Sequence, residues 1–538
     1  MAALLASFRQ GLRLPPSGWG LAGLLVLFVL AGLIGRDPWK GEDAIHIAAT
    51  WNILAHQDWL TPELAGRAFH EPPLYYWSAA LTGKLLGWLL PLHDAIRFAS
   101  GIWVALALVA LYYAGRELYG QERAAASPLL LAGCAGLAVN AHEAQPLLIA
   151  LAAYCGTLAA VTAFQRRPRL SGVYYGLSLT GCLLGCGIAP LLPLIVAGPL
   201  AITLLHEDRR AWRACLLGWA VFALLAAPWP IALSILEPAR LHGWLNAEIA
   251  QLTAGAPLLR GLGGYLTLLP FAAFPTVFIA GWTLWRNRRQ PICRETCLPL
   301  TLFGLTLLML LFAYRPKELT ALLLLPPLAL LATPGALALR RGADSALNWF
   351  AMLGCGFFMA LVWVGWSALA FGWPEKLAQR ALILRPGFVH QIEFWAVLAA
   401  TAGTFAWLWL IATSRRSPYR SLLHWSMGIT TLWFLAAQLW MPWFNYGKSY
   451  RPVFESAARH LPRNAGCLTE IGMEDSQRAS LSFFTGLEPR PYRPGSACRW
   501  LLAQESPGQA ASAGEGWEKV WQGNRPGDRR ERFVLYRR

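Results

Sequence analysis

Apolar residues run along this chain in long blocks parted by short polar connections. Thirteen blocks stand out, at about 18–35, 94–115, 124–140, 145–164, 171–187, 189–205, 213–234, 265–285, 297–314, 318–339, 346–372, 389–413 and 421–441. Each is about long enough, as a helix, to cross a hydrocarbon core about 30 Å thick. The pattern predicts a mainly α, polytopic membrane protein with about 13 transmembrane helices. The first block carries no small-residue cleavage signal and reads as a retained span.

The connections carry a second periodicity. Arg9 and Arg13 precede the first block; Arg116 and Arg123 follow the second; Arg166, Arg167 and Arg169 the fourth; Arg209, Arg210 and Arg213 the sixth. Arg286, Arg288, Arg289 and Arg294 follow the eighth, Arg340 and Arg341 the tenth, and Arg415, Arg416 and Arg420 the twelfth. Basic knots after every even block predict that these loops face the cytoplasm. Residues 1–17 are then a cytoplasmic N-terminus, 18–444 a transmembrane domain, and 445–538 an external domain.

The first external loop, 36–93, departs from the pattern because it gathers charge, histidine and aromatics. Glu42 and Asp43 open a stretch in which Ala44, Ile47, Ala48, Trp51 and Leu54 recur at helical spacing. This predicts an amphipathic juxtamembrane helix with its acids at the favourable end of the helix dipole and its apolar face suited to a membrane surface. Pro72-Pro73 forces an extended backbone and then opens a second helix. Beyond Trp443 the apolar blocks stop. Helices at 449–461 and 475–484, with strands at 467–471, 497–504, 517–521 and 532–536, predict a small α/β domain docked on the external face, with a loop at 504–516.

Composition sharpens this picture. The chain has 538 residues, 56% of them hydrophobic, with a formal net charge of +17. Nucleic-acid binding is not implied, because the excess of Arg lies in short loops between apolar blocks. No glycine-rich nucleotide loop is present, so no nucleotide cofactor is expected. Cys467 and Cys498 both fall in the external domain, where a disulfide can form.

The acidic pair, the amphipathic helix, Gln57-Asp58-Trp59 and then Phe69-His70-Glu71-Pro72-Pro73-Leu74-Tyr75-Tyr76-Trp77 resemble the first external loop of GT-C glycosyltransferases. The bacterial lipid A aminoarabinose transferases and protein O-mannosyltransferases are the relatives it resembles. The resemblance implies a bacterial inner-membrane enzyme with a periplasmic active site and a periplasmic C-terminus. It would move a sugar from a polyprenyl-phosphate donor to a glycolipid such as lipid A or to a protein. A lipid-linked-sugar flippase and a non-catalytic accessory subunit are the alternatives.

Such a transfer needs a carboxylate to deprotonate the acceptor, cations for the leaving phosphate and an apolar groove for the lipid. Glu42 and Asp43 are the candidate bases, in reversed order relative to the family's Asp-Glu. His70 and Glu71 occupy places where the aminoarabinose transferases carry Glu-Lys. The resemblance makes them candidate ligands of a divalent metal, with Glu71 also near the donor phosphate. His142 and Glu143 stand at the second acidic motif, with Gln145 at the family's Asp. Arg315 and Lys317, at the outer mouth of the tenth block, are the candidate phosphate cations. Tyr76 is a candidate hydrogen-bond donor to substrate.

Overall fold

The structure is a computed structural model that describes residues 18–289, 293–462, 466–494, 496–505, 516–528 and 530–538. It is mainly helical, as the apolar blocks predict. Six described helices are long and apolar enough to cross a membrane: Leu92–Tyr119, Arg209–Leu236, Arg294–Ala313, Glu318–Ala336, Arg341–Phe371 and Phe394–Thr413. Leu258–Ala272 and Thr276–Asn287 form a pair bent by 105°, and would make a seventh if counted as one span. Phe271, Ile235, Phe357 and Trp395 are exposed on helix faces, as lipid-facing positions would be.

Several blocks are more broken than their hydropathy suggests. The third, expected as one helix, is three: Gln121–Ala124, Ala126–Ala132 and Ala135–Asn140. The reason lies at Gly133. A Cβ there would sit 2.8 Å from the Trp425 ring, whose Nε1 donates to the Gly133 carbonyl at 2.8 Å. A tryptophan from Arg420–Lys448 thus fills the break and satisfies its backbone.

The first loop folds into two helices and a hairpin packed under the C-terminal domain. Glu42–His56 is helical, with both acids in its first turn and a left-handed Gln57 ending it. Its apolar face is covered by protein and not by a membrane surface. Ala44, Ile47 and Ala48 are buried against Tyr75, Tyr76, Ala79 and Ala80 of Leu74–Leu86, and against Ala479 of the C-terminal domain. Between the two helices lies a hairpin, β1 (Glu63–Leu64) with β2 (Arg67–Ala68), turned by Ala65 and Gly66 at positive φ.

The C-terminal region carries five strands: β3 (Leu468–Ile471), β4 (Arg490–Pro491), β5 (Trp500–Glu505), β6 (Glu518–Gly523) and β7 (Arg532–Arg537). Their order is β4-β3-β5-β7-β6, parallel around β3 and antiparallel around β7. Helices Arg451–Arg459 and Asp475–Thr485 pack on this sheet, with Tyr450, Phe454, Leu481 and Phe533 at its centre. Cys467 and Cys498 form a disulfide, with Cα atoms 5.2 Å apart, just ahead of the paired strands β3 and β5. Most of the expected 504–516 loop lies outside the described residues. The domain holds the first loop by charge as well as packing: Arg67 meets Glu470 at 2.6 Å, Arg451 meets Asp37 at 2.7 Å, and Lys40 meets Glu474 at 3.1 Å.

Candidate functional site

Where the first loop, residues 139–147, residues 313–320 and the end of Arg420–Lys448 converge, they enclose a cavity of about 1170 Å3. It gathers Glu42, Asp43, Glu71, Glu143, Arg315 and Lys317, which the sequence scatters over more than half its length. Val139, Leu147, Ala437, Met441 and Phe444 give it an apolar wall.

The adjacent acids have different fates. Asp43 is 3% exposed and accepts from Arg97 Nη2 at 2.6 Å, Arg97 Nε at 3.0 Å and the Ala144 amide at 2.8 Å. Arg97 is itself fully buried and also meets Asp94 at 3.1 Å. Burial opposes ionisation of Asp43, but the Arg97 and Arg36 charges outweigh it and hold the carboxyl well below the usual carboxylate range. Glu42 points the other way. Its side chain is 51% exposed, and among the described residues the one basic side chain within 4 Å is His46, with Nε2 at 3.6 Å. A carboxylate must be reachable to take a proton, and Glu42 is the reachable one.

Glu71 also lines the cavity, half-buried, with no described ion-pair partner. Burial, reinforced by Glu248 and Glu42, pushes its carboxyl up to about 7. Glu248 is buried and accepts from the Ile188 amide, at the start of Ile188–Leu204, at 2.6 Å. Glu143 reaches the cavity, but its charge is taken by Arg36 at 2.5 Å. Arg315 and Lys317 are exposed to the cavity, and among the described residues no carboxylate pairs with either. Lys448 lines the same cavity, over the rings of Trp39 at 4.5 Å and Phe444 at 5.4 Å.

Three expected site residues lie elsewhere. His70 is exposed and rests against Gly243 of Pro238–Leu252, outside the cavity lining. His142 is fully buried, bonded to the Phe28 carbonyl at 2.7 Å and the Ala138 carbonyl at 3.0 Å, and stacked on Trp433. Its ring packs against the Gly18–Leu30 helix and lies outside the cavity lining. Tyr76 is fully buried too, and its hydroxyl bonds His46 Nδ1 at 2.8 Å in place of a ligand. With His70 turned away, the expected metal pair is split. Among the described residues no group of three or more His, Cys, Asp or Glu side chains could hold a metal ion, so no step is assigned to one.

Reasoning from sequence missed Arg36, Asp94, Arg97 and Lys448. The available signal was charge inside or at the end of an apolar block, which is expensive unless it is used. Asp94 and Arg97 fall in the second block, where the surrounding apolar residues mask them.

Comparison with known proteins fits this geometry. Residues 70–231 match the family described as dolichyl-phosphate-mannose-protein mannosyltransferase. An undecaprenyl phosphate-alpha-4-amino-4-deoxy-L-arabinose arabinosyl transferase of Sodalis glossinidius is 30% identical over 296 residues, covering 51% of this chain and 52% of the relative. One from Aeromonas hydrophila is 27% identical over 380 residues, 66% of each chain. The chain thus spans about half of the first of these relatives and about two thirds of the second. The crystal structure of ArnT from Cupriavidus metallidurans bound to undecaprenyl phosphate superposes with a TM-score of 0.72 at 16% identity, covering 96% of this chain and 97% of that one. Its apo state gives 0.69 at 17% identity. The chain has the ArnT-like GT-C fold and resembles the lipid A aminoarabinose transferases.

Proposed function

We propose that this chain is an integral-membrane glycosyltransferase that moves a sugar from a polyprenyl phosphate to an acceptor hydroxyl. Glu42 takes the acceptor proton as the acceptor oxygen bonds to the anomeric carbon. The bond from that carbon to the phosphate oxygen breaks, and its electron pair leaves with the lipid phosphate. Arg315 and Lys317 stabilise the charge that develops there. The apolar wall receives the isoprenoid tail. Asp43 and Arg97 hold the base-bearing helix in place and touch no substrate.

One observation carries the reading: a single cavity holds a half-exposed carboxylate and two cations that no carboxylate among the described residues pairs with, beside an apolar surface. The names of the relatives support undecaprenyl phosphate-linked aminoarabinose as donor; the acceptor in this reading is a glycolipid such as lipid A or a protein, the class that the matching family's description carries. The basic loops support a multi-pass arrangement of about thirteen crossings in a bacterial inner membrane, N-terminus cytoplasmic, with the cavity and the C-terminal domain in the periplasm.

The test is transfer by the purified full chain in proteoliposomes, supplied with radiolabelled undecaprenyl-phosphate aminoarabinose and a lipid A extract. Label is expected to move to the acceptor. Label that crosses the bilayer without changing carrier would instead mark a flippase.

A further inference from the structure

His46 joins the reachable carboxylate to the protein interior. It lies one helical turn after Glu42, so the two share a face of Glu42–His56. Its ring is 6% exposed and sits among Phe69, Tyr75 and Tyr76, with centroids 6.4, 6.1 and 5.9 Å away. Its two nitrogens face opposite ways, Nδ1 to the Tyr76 hydroxyl at 2.8 Å and Nε2 to Glu42 Oε2 at 3.6 Å. Burial pushes the imidazole down to about 3, against a smaller upward pull from Asp43, so the ring is neutral at physiological pH.

A neutral imidazole has one donor and one acceptor nitrogen, and the partner of one fixes the role of the other. A Tyr76 hydroxyl that donates to Nδ1 puts the ring proton on Nε2, on the side of Glu42. From this geometry we infer that His46 is a positioning residue, held by Tyr76 in the Nε2–H form, that aims the Glu42 carboxylate at the acceptor. The inference rests on Glu42 being the base. His46 neither gives up its proton nor takes the acceptor's. The 3.6 Å separation is just beyond hydrogen-bond length, and aiming the carboxylate requires it to close when acceptor fills the cavity, as catalytic contacts often do. A buried Tyr76 follows from the same arrangement: its hydroxyl is spent on the ring that orients the base.

Transfer of radiolabelled aminoarabinose from undecaprenyl phosphate tests this in the full chain. His46→Leu is expected to lower kcat by about 10²-fold, the cost of a base misplaced by about 1 Å, with donor KM changed less than about twofold. His46→Gln, whose amide can donate from nearly the same point, is expected to recover most of the loss. Tyr76→Phe should lower kcat several-fold, and adding it to His46→Leu should cost nothing further, because it acts through the ring. A His46→Leu variant at wild-type kcat, a His46→Gln variant as slow as His46→Leu, or additive losses in the double variant would each overturn the inference. If Glu42→Gln also transfers at the wild-type rate, the base assignment falls with it. If Glu42→Gln is inactive while His46→Leu is unaffected, the inference alone falls. Nitrogen NMR on histidine-labelled protein gives a readout that needs no turnover. The resonance that disappears in His46→Gln is expected to be a neutral Nε2–H tautomer from about pH 5 to about pH 8. An Nδ1–H tautomer or an imidazolium there would refute it.

Discussion

Replacing Asp43 by Asn should damage the fold, while the matching change one residue earlier, Glu42→Gln, should leave the fold intact. Asp43 is 3% exposed and its carboxylate takes three hydrogen bonds, two of them from the fully buried Arg97. Asn can still accept from the Ala144 amide, but it removes the charge facing Arg97 and turns an amino group toward the guanidinium. Removing one partner of a buried pair costs about 3–5 kcal/mol. Asp94 at 3.1 Å and the Arg36 carbonyl still face Arg97, which favours the lower end. About 3 kcal/mol corresponds to a midpoint lowered by about 5–10 °C, using the slopes of smaller domains as a guide. Glu42 has a half-exposed side chain, and among the described residues its one basic neighbour is the neutral His46 ring, so Glu42→Gln should shift stability by less than about 0.5 kcal/mol. Thermal unfolding of both purified variants in the same detergent reads the difference. An Asp43→Asn variant that melts with the wild type, or a Glu42→Gln variant that falls as far, would refute the division of roles. The pH dependence has a definite sign. Because Asp43 titrates lower when folded, its contribution is complete above about pH 4 and is lost as pH falls toward about 2.

Arg315→Ala and Lys317→Ala should each lower kcat/KM for a polyprenyl-phosphate donor by about 10–10²-fold with no change in melting, measured as initial transfer rates. Glu71 holds a proton in the folded chain that it would release when unfolded, so the fold loses stability as pH rises from about 4.5 through about 7. Glu71→Gln should therefore melt higher than wild type at pH 8, by about 1–2 kcal/mol after allowance for partial exposure, and show little gain near pH 5. Cys498→Ser opens the Cys467–Cys498 link and should destabilise the C-terminal domain by about 2–4 kcal/mol, seen as faster proteolysis of that domain without reductant.

Much of this architecture is legible in the sequence because hydropathy and turn chemistry are local. The Glu42–His56 helix, the helix opened by Pro72-Pro73 and the Asp475–Thr485 helix ended by Gly486 all follow from neighbours in the chain. The first-loop hairpin was missed because its turn is Ala65-Gly66, without the Asn or Asp that usually marks one. The third block looked continuous because Trp425, the residue that fills its break, lies 292 positions away from Gly133. The site divides along the same line. Glu42, Glu71, Arg315 and Lys317 carry charge in polar connections and could be found. That Asp43 is a structural anion depends on Arg97, 54 residues on and inside an apolar block. That His142 serves packing depends on Phe28 and Trp433, from distant helices. That His70 faces away depends on Gly243.

The account stands or falls on Glu42 as the group that takes the acceptor proton. A single-turnover experiment with Glu42→Gln, preloaded with radiolabelled undecaprenyl-phosphate aminoarabinose, tests it most directly. The variant should bind donor as the wild type does and transfer label at least about 10²-fold more slowly. Transfer at the wild-type rate from equally well-bound donor would contradict it.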